Sequence, residues 1–304
     1  MTGGQRRRLI GAIEGGGTKF VCALAESPTA TLERVVIPTR DPDGTLRDCI
    51  EFFNAAAGRH GSICALGIAC FGPLQLRSDA SDYGCLLGTP KAGWSGVSVL
   101  APFRAALDVP IALDVDVGAA ARGELDLGAG RGLRSLAYVT VGTGIGGAVA
   151  PDLRGARIMH AEMGHLIVRR DPRDSDFAGI CPYHGDCLEG LASGPAILAR
   201  WGCDLSALPP GHAGHAVIAG YLAQLAVAIQ LLHAPQMQVF GGGVMSAGLL
   251  PEVRKQTMAL LGGYLPHLRD ALSVERLIRA PGLGADSAIV GALQAALEAL
   301  EAEE

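Results

Sequence analysis

Apolar positions in this chain gather into short runs that close on glycine. The first, from Leu9, breaks at Gly15-Gly16-Gly17-Thr18-Lys19 and resumes as Phe20-Val21-Cys22-Ala23-Leu24, a pattern that predicts strand, turn and strand. Leu136 to Ala150 repeats the plan, with Tyr138-Val139-Thr140-Val141 ahead of a Gly142-Thr143-Gly144-Ile145-Gly146-Gly147 turn and Ala148-Val149-Ala150 behind it. A third glycine turn, Gly241-Gly242-Gly243, follows the strand-like Met237-Gln238-Val239-Phe240. Cys64 to Phe71 and Pro110 to Val115 read as buried strands, and Leu46 to Ala57, Val97 to Leu107, Val117 to Glu124 and Ser287 to Glu304 as helices. Asp116 stands at the cap of the helix that begins at Val117. Val217 to Leu232 is apolar over a helical length but is interrupted by Gln224 and Gln230, which places it in a core and not in a membrane.

Two similar hairpins, each opening one half of the chain, predict a duplicated α/β unit and two domains facing one cleft. With no low-complexity linker to mark a boundary, the repeat puts it near residue 118. The expectation from the repeat is a small α/β domain of residues 1–117 followed by a larger one that starts at 118. A chain of 304 residues with 49% hydrophobic content can bury such cores. The net charge is −5, and Arg6-Arg7-Arg8 is the longest basic run, which argues against nucleic acid as a partner. Eight cysteines, mostly scattered through apolar stretches, suit a reducing cytoplasm. The apolar run before Glu14 is too short for a signal peptide.

Glycine turns at strand ends let backbone N–H groups approach phosphate oxygens, and Thr18, Lys19 and Thr143 add hydroxyl and cationic donors. Two such loops in repeated positions, with a third at Gly241, point to a nucleoside triphosphate; for each taken alone, a plain tight hairpin is the alternative. Gly142, Gly144 and Gly147 match a dinucleotide fingerprint, but that motif must open a helix and here a strand runs on to Pro151. Gly16-Gly17-Thr18-Lys19 has the wrong order for a P-loop. Phosphoryl transfer to an alcohol needs a carboxylate that orients the hydroxyl and takes its proton. Asp116 is the candidate, at a strand end and a helix start, with Asp114 two residues earlier on the same strand; a plain helix cap is the alternative role for Asp116. Trp94 is suited either to stacking on a sugar face or to filling a lid.

His165, Cys181, His184 and Cys187 form a set of soft and borderline ligands spaced for tetrahedral zinc, and Pro182 and Gly185 supply the tight turns. All four positions are then protein side chains, so the metal is structural. The carboxylates Glu162 and Glu189 flank the set.

The segments GAIEGGGTKFVCAL, ACFGPL, GTPKAGW, VGTGIGGAV, HAEMGH, CPYHGDCLEGLASGP and VFGGGVM occur here in that order. With them the chain resembles the ROK family of sugar kinases, specifically its zinc-containing fructokinases, from about residue 9 to residue 295. The resemblance implies an actin-like (ribonuclease H-like) ATPase fold whose C-terminal helix, 290–304, returns to the 1–117 domain and leaves 118–289 as the larger domain with the zinc-binding loop, a homodimer, and ATP-dependent phosphorylation of a hexose. It makes Asp116 the general base and gives Glu162, His165, Glu189 and Gly72 to the sugar, with His165 also on zinc. It places ATP among Gly16, Gly17, Thr18 and Lys19, Thr143 and Gly144, Gly194 and Ala196, and Gly241, Gly242, Gly243, Val244 and Met245, with Mg2+ on the phosphates near Glu14.

Three departures concentrate around the sugar. Gly118 stands where related kinases place Asn, Val115 where the family's glucokinases have Asn, and Ala92 where Pro is frequent. D-fructose 6-phosphate is the expected product; mannose, glucose or an N-acetylhexosamine as the substrate, and a non-catalytic sugar sensor, are the alternatives. The family's repressors carry a helix-turn-helix ahead of the first glycine loop, and only thirteen residues precede Glu14 here.

Overall fold

The computed structural model of the protein describes residues 8–151 and 160–303, which divide into two compact units. The first holds 8–123, His160 and 286–303; the second holds 124–151 and 161–285.

In the first unit, β1 (Ile10–Gly15) and β2 (Lys19–Ser27) form the hairpin predicted from the sequence, and β3 (Ala30–Pro38) extends it. Helix α1 (Pro42–His60) starts a turn earlier than its apolar spacing suggests, because Asp41 accepts a hydrogen bond from the Gly44 N–H and Pro42 sits in the first turn. The chain then gives β4 (Ala65–Cys70), α2 (Ala101–Ala106), β5 (Ile111–Val115) and α3 (Asp116–Asp126). The helix predicted from Val97 is confined to α2. Ser98 pairs with Cys85 in an isolated bridge, and the Leu86 N–H bonds to the Val97 carbonyl, so the backbone ahead of Pro102 is spent on loop pairing. Asp116 is likewise the first residue of α3 and not a cap ahead of it. The sheet runs β3-β2-β1-β4-β5, with β1 antiparallel to β2 and parallel to β4.

The second unit repeats this logic. β6 (Leu136–Val141) is antiparallel to β7 (Ile145–Ala150) and parallel to the strand of Met237–Gly241. Helices α4 (Leu188–Ala192), α5 (Gly194–Trp201) and α6 (Ala213–His233) follow, then β8 (Met237–Gly241), α7 (Leu250–Leu261), α8 (Ala271–Leu277) and β9 (Ile278–Arg279), giving the order β7-β6-β8-β9. Helix α6 is long and apolar enough to cross a membrane, yet Val217, Ile218, Tyr221, Leu222, Leu225 and Ile229 pack it into this unit's core.

The last helix, α9 (Ser287–Glu301), lies against the first unit's sheet and α3. Contact is backbone-close: a Cβ on Gly291 would stand 1.8 Å from the Ala119 carbonyl oxygen, and one on Gly123 would stand 2.5 Å from that of Ser287. One residue on, Glu124 is fully buried and its carboxylate accepts from the N–H groups of Ala129, Gly282 and Leu283 in the second unit. These two sets of contacts put the division after Gly123 and before Asp286, a few residues from the expected 117 and 289.

Candidate functional site

In the first unit, β1 delivers Glu14 and the turn that follows it. The Gly16 N–H is held by the Lys19 carbonyl at 2.9 Å, and Thr39 reaches across, its hydroxyl donating to the Gly16 carbonyl at 2.7 Å. Lys91 donates its ammonium to the Gly17 carbonyl at 2.6 Å. The sequence alone gives Lys91 no role; its place in the Gly88–Trp94 segment becomes a signal only because that loop folds onto the glycine turn. Trp94 anchors the segment. It is fully buried, stacks on Phe20 with ring centroids 5.4 Å apart, and donates its indole N–H to the Arg40 carbonyl, so it fills the interior and presents no face to a sugar.

Asp116 follows β5 directly, its Oδ1 accepting from the Val117 N–H at 2.8 Å. Burial, and next the charge of Asp116, push the Glu14 carboxyl up to about 7, while Lys19 and Arg34 act in the opposite sense. The unit therefore gathers two acidic groups beside its glycine loop. Asp114 accounts for the first departure noted above. Its Oδ1 lies 2.5 Å from where a Cβ on Gly118 would be, so the carboxylate occupies the space that an Asn at 118 would enter. Beyond the end of β4, Gly72 abuts the His160 imidazole, and a Cβ on Gly72 would stand 2.6 Å from the ring Nε2.

In the second unit, Glu189 on α4 turns Oε2 to the loop between β6 and β7, accepting the Ile145 N–H at 2.8 Å. The same oxygen lies 2.7 Å from where a Cβ on Gly144 would stand, so a side chain there would push the carboxylate off Ile145. A second bond ties the same elements, from the Gly194 N–H to the Gly142 carbonyl at 2.7 Å. The Ala196 N–H is taken by the Ser193 hydroxyl. Gly194 and Ala196 thus commit their N–H groups internally and offer a surface, not amide donors. Gly242 has φ of +92°, and a Cβ there would be 2.4 Å from the Val141 carbonyl oxygen; Gly243–Ala247 then continues as a short 3-10 turn through Val244 and Met245.

His165, Cys181, His184 and Cys187 come together, with one ligand atom from each within 4.8 Å of every other. Cys187 Sγ is 3.5 Å and Cys181 Sγ 3.7 Å from His165 Nδ1, and Cys181 Sγ is 3.6 Å from His184 Nδ1. Zn–S bonds of about 2.3 Å and Zn–N bonds of about 2.0–2.1 Å at tetrahedral angles require a sulfur to nitrogen separation of about 3.6 Å, so the donor set fits that ion. The hairpin is closed by reciprocal Cys181 and Gly185 backbone bonds, with Gly185 at φ +67°. Nδ1 of His165 faces the sulfurs, which turns Nε2 to the other side of the ring. Glu162 is exposed, just ahead of the turn that carries His165.

A sheet ordered β3-β2-β1-β4-β5, a glycine hairpin off its central strand and a carboxylate after β5 define the class: an actin-like ATPase fold. Solved structures share it. A ROK hexokinase from Thermus thermophilus superposes with TM-score 0.74 at 24% identity, covering 97% of this chain and 99% of that one. A ROK family glucokinase from Streptomyces griseus, solved with glucose and AMPPNP, gives 0.72 at 21%, covering 95% and 99%. The chain belongs to the ROK family, whose pattern it matches over residues 10–299. In sequence it is similar to a fructokinase of Zymomonas mobilis, 42% identical over 96% of this chain and 98% of that protein. A fructokinase of Pediococcus pentosaceus is 36% identical over 96% and 99%.

Proposed function

We propose that the protein is an ATP-dependent fructokinase of the cytoplasm, moving the γ-phosphoryl group of ATP to the terminal hydroxyl of D-fructose to give D-fructose 6-phosphate. The observation that carries this reading is the end-to-end likeness to fructokinases, at 42% identity with the Zymomonas mobilis enzyme. Asp116, at the end of β5, orients the sugar hydroxyl and accepts its proton. Mg2+ bound with ATP neutralises phosphate charge, and Glu14, beside the glycine turn, is the carboxylate suited to face it. Glu162, His165, Glu189 and Gly72 take the sugar's remaining groups. The glycine loops at 16–19, 142–144 and 241–245 hold the nucleotide, bordered by Gly194 and Ala196. Zinc on His165, Cys181, His184 and Cys187 holds the hairpin ahead of α4 and fixes the His165 ring, leaving Nε2 for the sugar. Catalysis is then mainly positioning and charge stabilisation. The active species is a homodimer, and the net charge of −5 disfavours nucleic acid as a partner.

A second reading, a kinase for mannose, glucose or an N-acetylhexosamine, draws on Val115 and on the Asp114 carboxylate that fills the space beside Gly118. ADP release from Mg-ATP across fructose, mannose, glucose and N-acetylated hexosamines separates the two. Selective turnover of fructose is the expected result. Preference for another sugar replaces the substrate, and no turnover with any sugar removes the kinase reading.

A further inference from the structure

Among the described residues Lys91 makes no ion pair, and its ammonium rests on a neutral acceptor, the Gly17 carbonyl, at 2.6 Å. Its backbone is not loose. The Lys91 N–H is held by the Thr89 hydroxyl, the Trp94 N–H bonds back to the Lys91 carbonyl, and Trp94 is buried between Phe20 and Phe71. The ring of Phe20 belongs to β2, the strand that leaves the glycine turn, so one packed contact fixes loop and turn together. Arg77 and Arg40, by contrast, are committed to Asp79 and Asp48. A lysine held at a glycine turn by one bond to an uncharged carbonyl exchanges that acceptor readily for an anionic oxygen, since the ammonium charge that the carbonyl leaves uncompensated is then paired with an opposite charge.

We propose that Lys91 binds the γ-phosphate of ATP and stays on the phosphoryl group during transfer. The inference rests on the reading of the 16–19 turn as a phosphate loop. In the step, the sugar oxygen forms a bond to the γ-phosphorus as its proton passes to Asp116, the bond from phosphorus to the β-phosphate oxygen breaks, and ADP leaves. Lys91 keeps all its protons and offsets charge on the equatorial oxygens. The neutral turn carbonyl is where the ammonium waits when no triphosphate is bound.

The test compares Lys91→Met, Lys91→Gln and Lys91→Arg by fructose kinetics and by calorimetric binding of Mg-ADP and of a non-hydrolysable Mg-ATP analogue. Lys91→Met is expected to lower kcat by about 10²-fold with the fructose KM within about twofold, and to weaken the ATP analogue while sparing ADP. Lys91→Gln can still donate to the Gly17 carbonyl but carries no charge. It is expected to behave like the Met variant, and Lys91→Arg to recover at least about tenfold of the loss. A Gln variant matching the native enzyme, or ADP weakened as much as the analogue, overturns the proposal and leaves Lys91 as a clasp on the turn. If Lys91→Met does not fold, the Gln and Arg variants carry the same comparison. Should the native protein turn over no sugar yet still bind the analogue more tightly than ADP in a Lys91-dependent way, the γ-phosphate contact of Lys91 stands, while its part in transfer and the fructokinase reading fall.

Discussion

The Glu189 carboxylate accepts the Ile145 backbone N–H at 2.8 Å, so a residue proposed to bind the sugar also pins the strand that leaves a glycine loop proposed to hold the nucleotide. One oxygen fixes Ile145 and, through its approach to Gly144, the shape of the turn. Removing the side chain therefore affects both substrates. Glu189→Ala is expected to raise the KM for fructose and for Mg-ATP about tenfold each, the scale of a lost charge-assisted bond of about 1.5–3 kcal/mol. Glu189→Gln keeps an acceptor for Ile145 and is expected to raise only the fructose KM. Steady-state kinetics with each substrate varied in turn check the split.

Asp116→Asn keeps the size and the acceptor for the Val117 N–H but cannot take a proton. A fall in kcat of about 10²–10⁴ is expected, with fructose affinity within about twofold. An Asn variant that retains most of its activity removes Asp116 from the base role.

One zinc per chain is expected on metal analysis. Chelation, or Cys181→Ser, is expected to lower Tm by roughly 5–10 °C, for a loss of about 2–4 kcal/mol, and to raise the fructose KM through His165 and α4. Zinc-free protein with native stability and KM would remove the metal from the description.

Glu14 sets a pH dependence in the ligand-free protein. Its carboxyl is raised by burial, then by Asp116, from the ordinary 4.5 to about 7. Between those values the folded state holds a proton that the unfolded state has lost, so stability falls as pH rises from about 4.5 to about 7 and then levels. The ceiling is on the order of 3 kcal/mol. Glu14→Gln is expected to flatten this slope and to be the more stable protein at pH 8, as read by denaturant melts across pH.

At Gly118 the contact with Asp114 is the limit on reverting to Asn. Gly118→Asn alone is expected to cost about 1–3 kcal/mol, because Asp114 Oδ1 stands 2.5 Å from the new Cβ. Asp114→Ala in the same chain is expected to recover most of that loss, a coupling that a double-mutant cycle measures.

Much of this is legible in the chain because it is written locally. Hairpins, helix ends and the hairpin from Cys181 to Cys187 depend on neighbours a few residues apart, so glycine placement, apolar runs and the Cys-x-x-His-x-x-Cys spacing suffice to read them. Strand β3 escapes such a reading, since it is an edge strand whose Glu33 and Arg34 interrupt the apolar pattern. The helix predicted from Val97 is too long, because the pairing of Ser98 with Cys85 is tertiary and competes with helical bonds.

The sequence by itself determined the two hairpins, the carboxylate after the fifth strand and the spacing of the four candidate metal ligands, each an arrangement short enough for local chemistry to dictate. Tertiary structure alone decided that Trp94 is interior, that Lys91 rests on Gly17, that Glu189 grips Ile145 from 44 residues away, and that Asp114 crowds the position a side chain at 118 would take. Those relationships arise from packing distant segments against one another, where distance along the chain carries no information about distance in space.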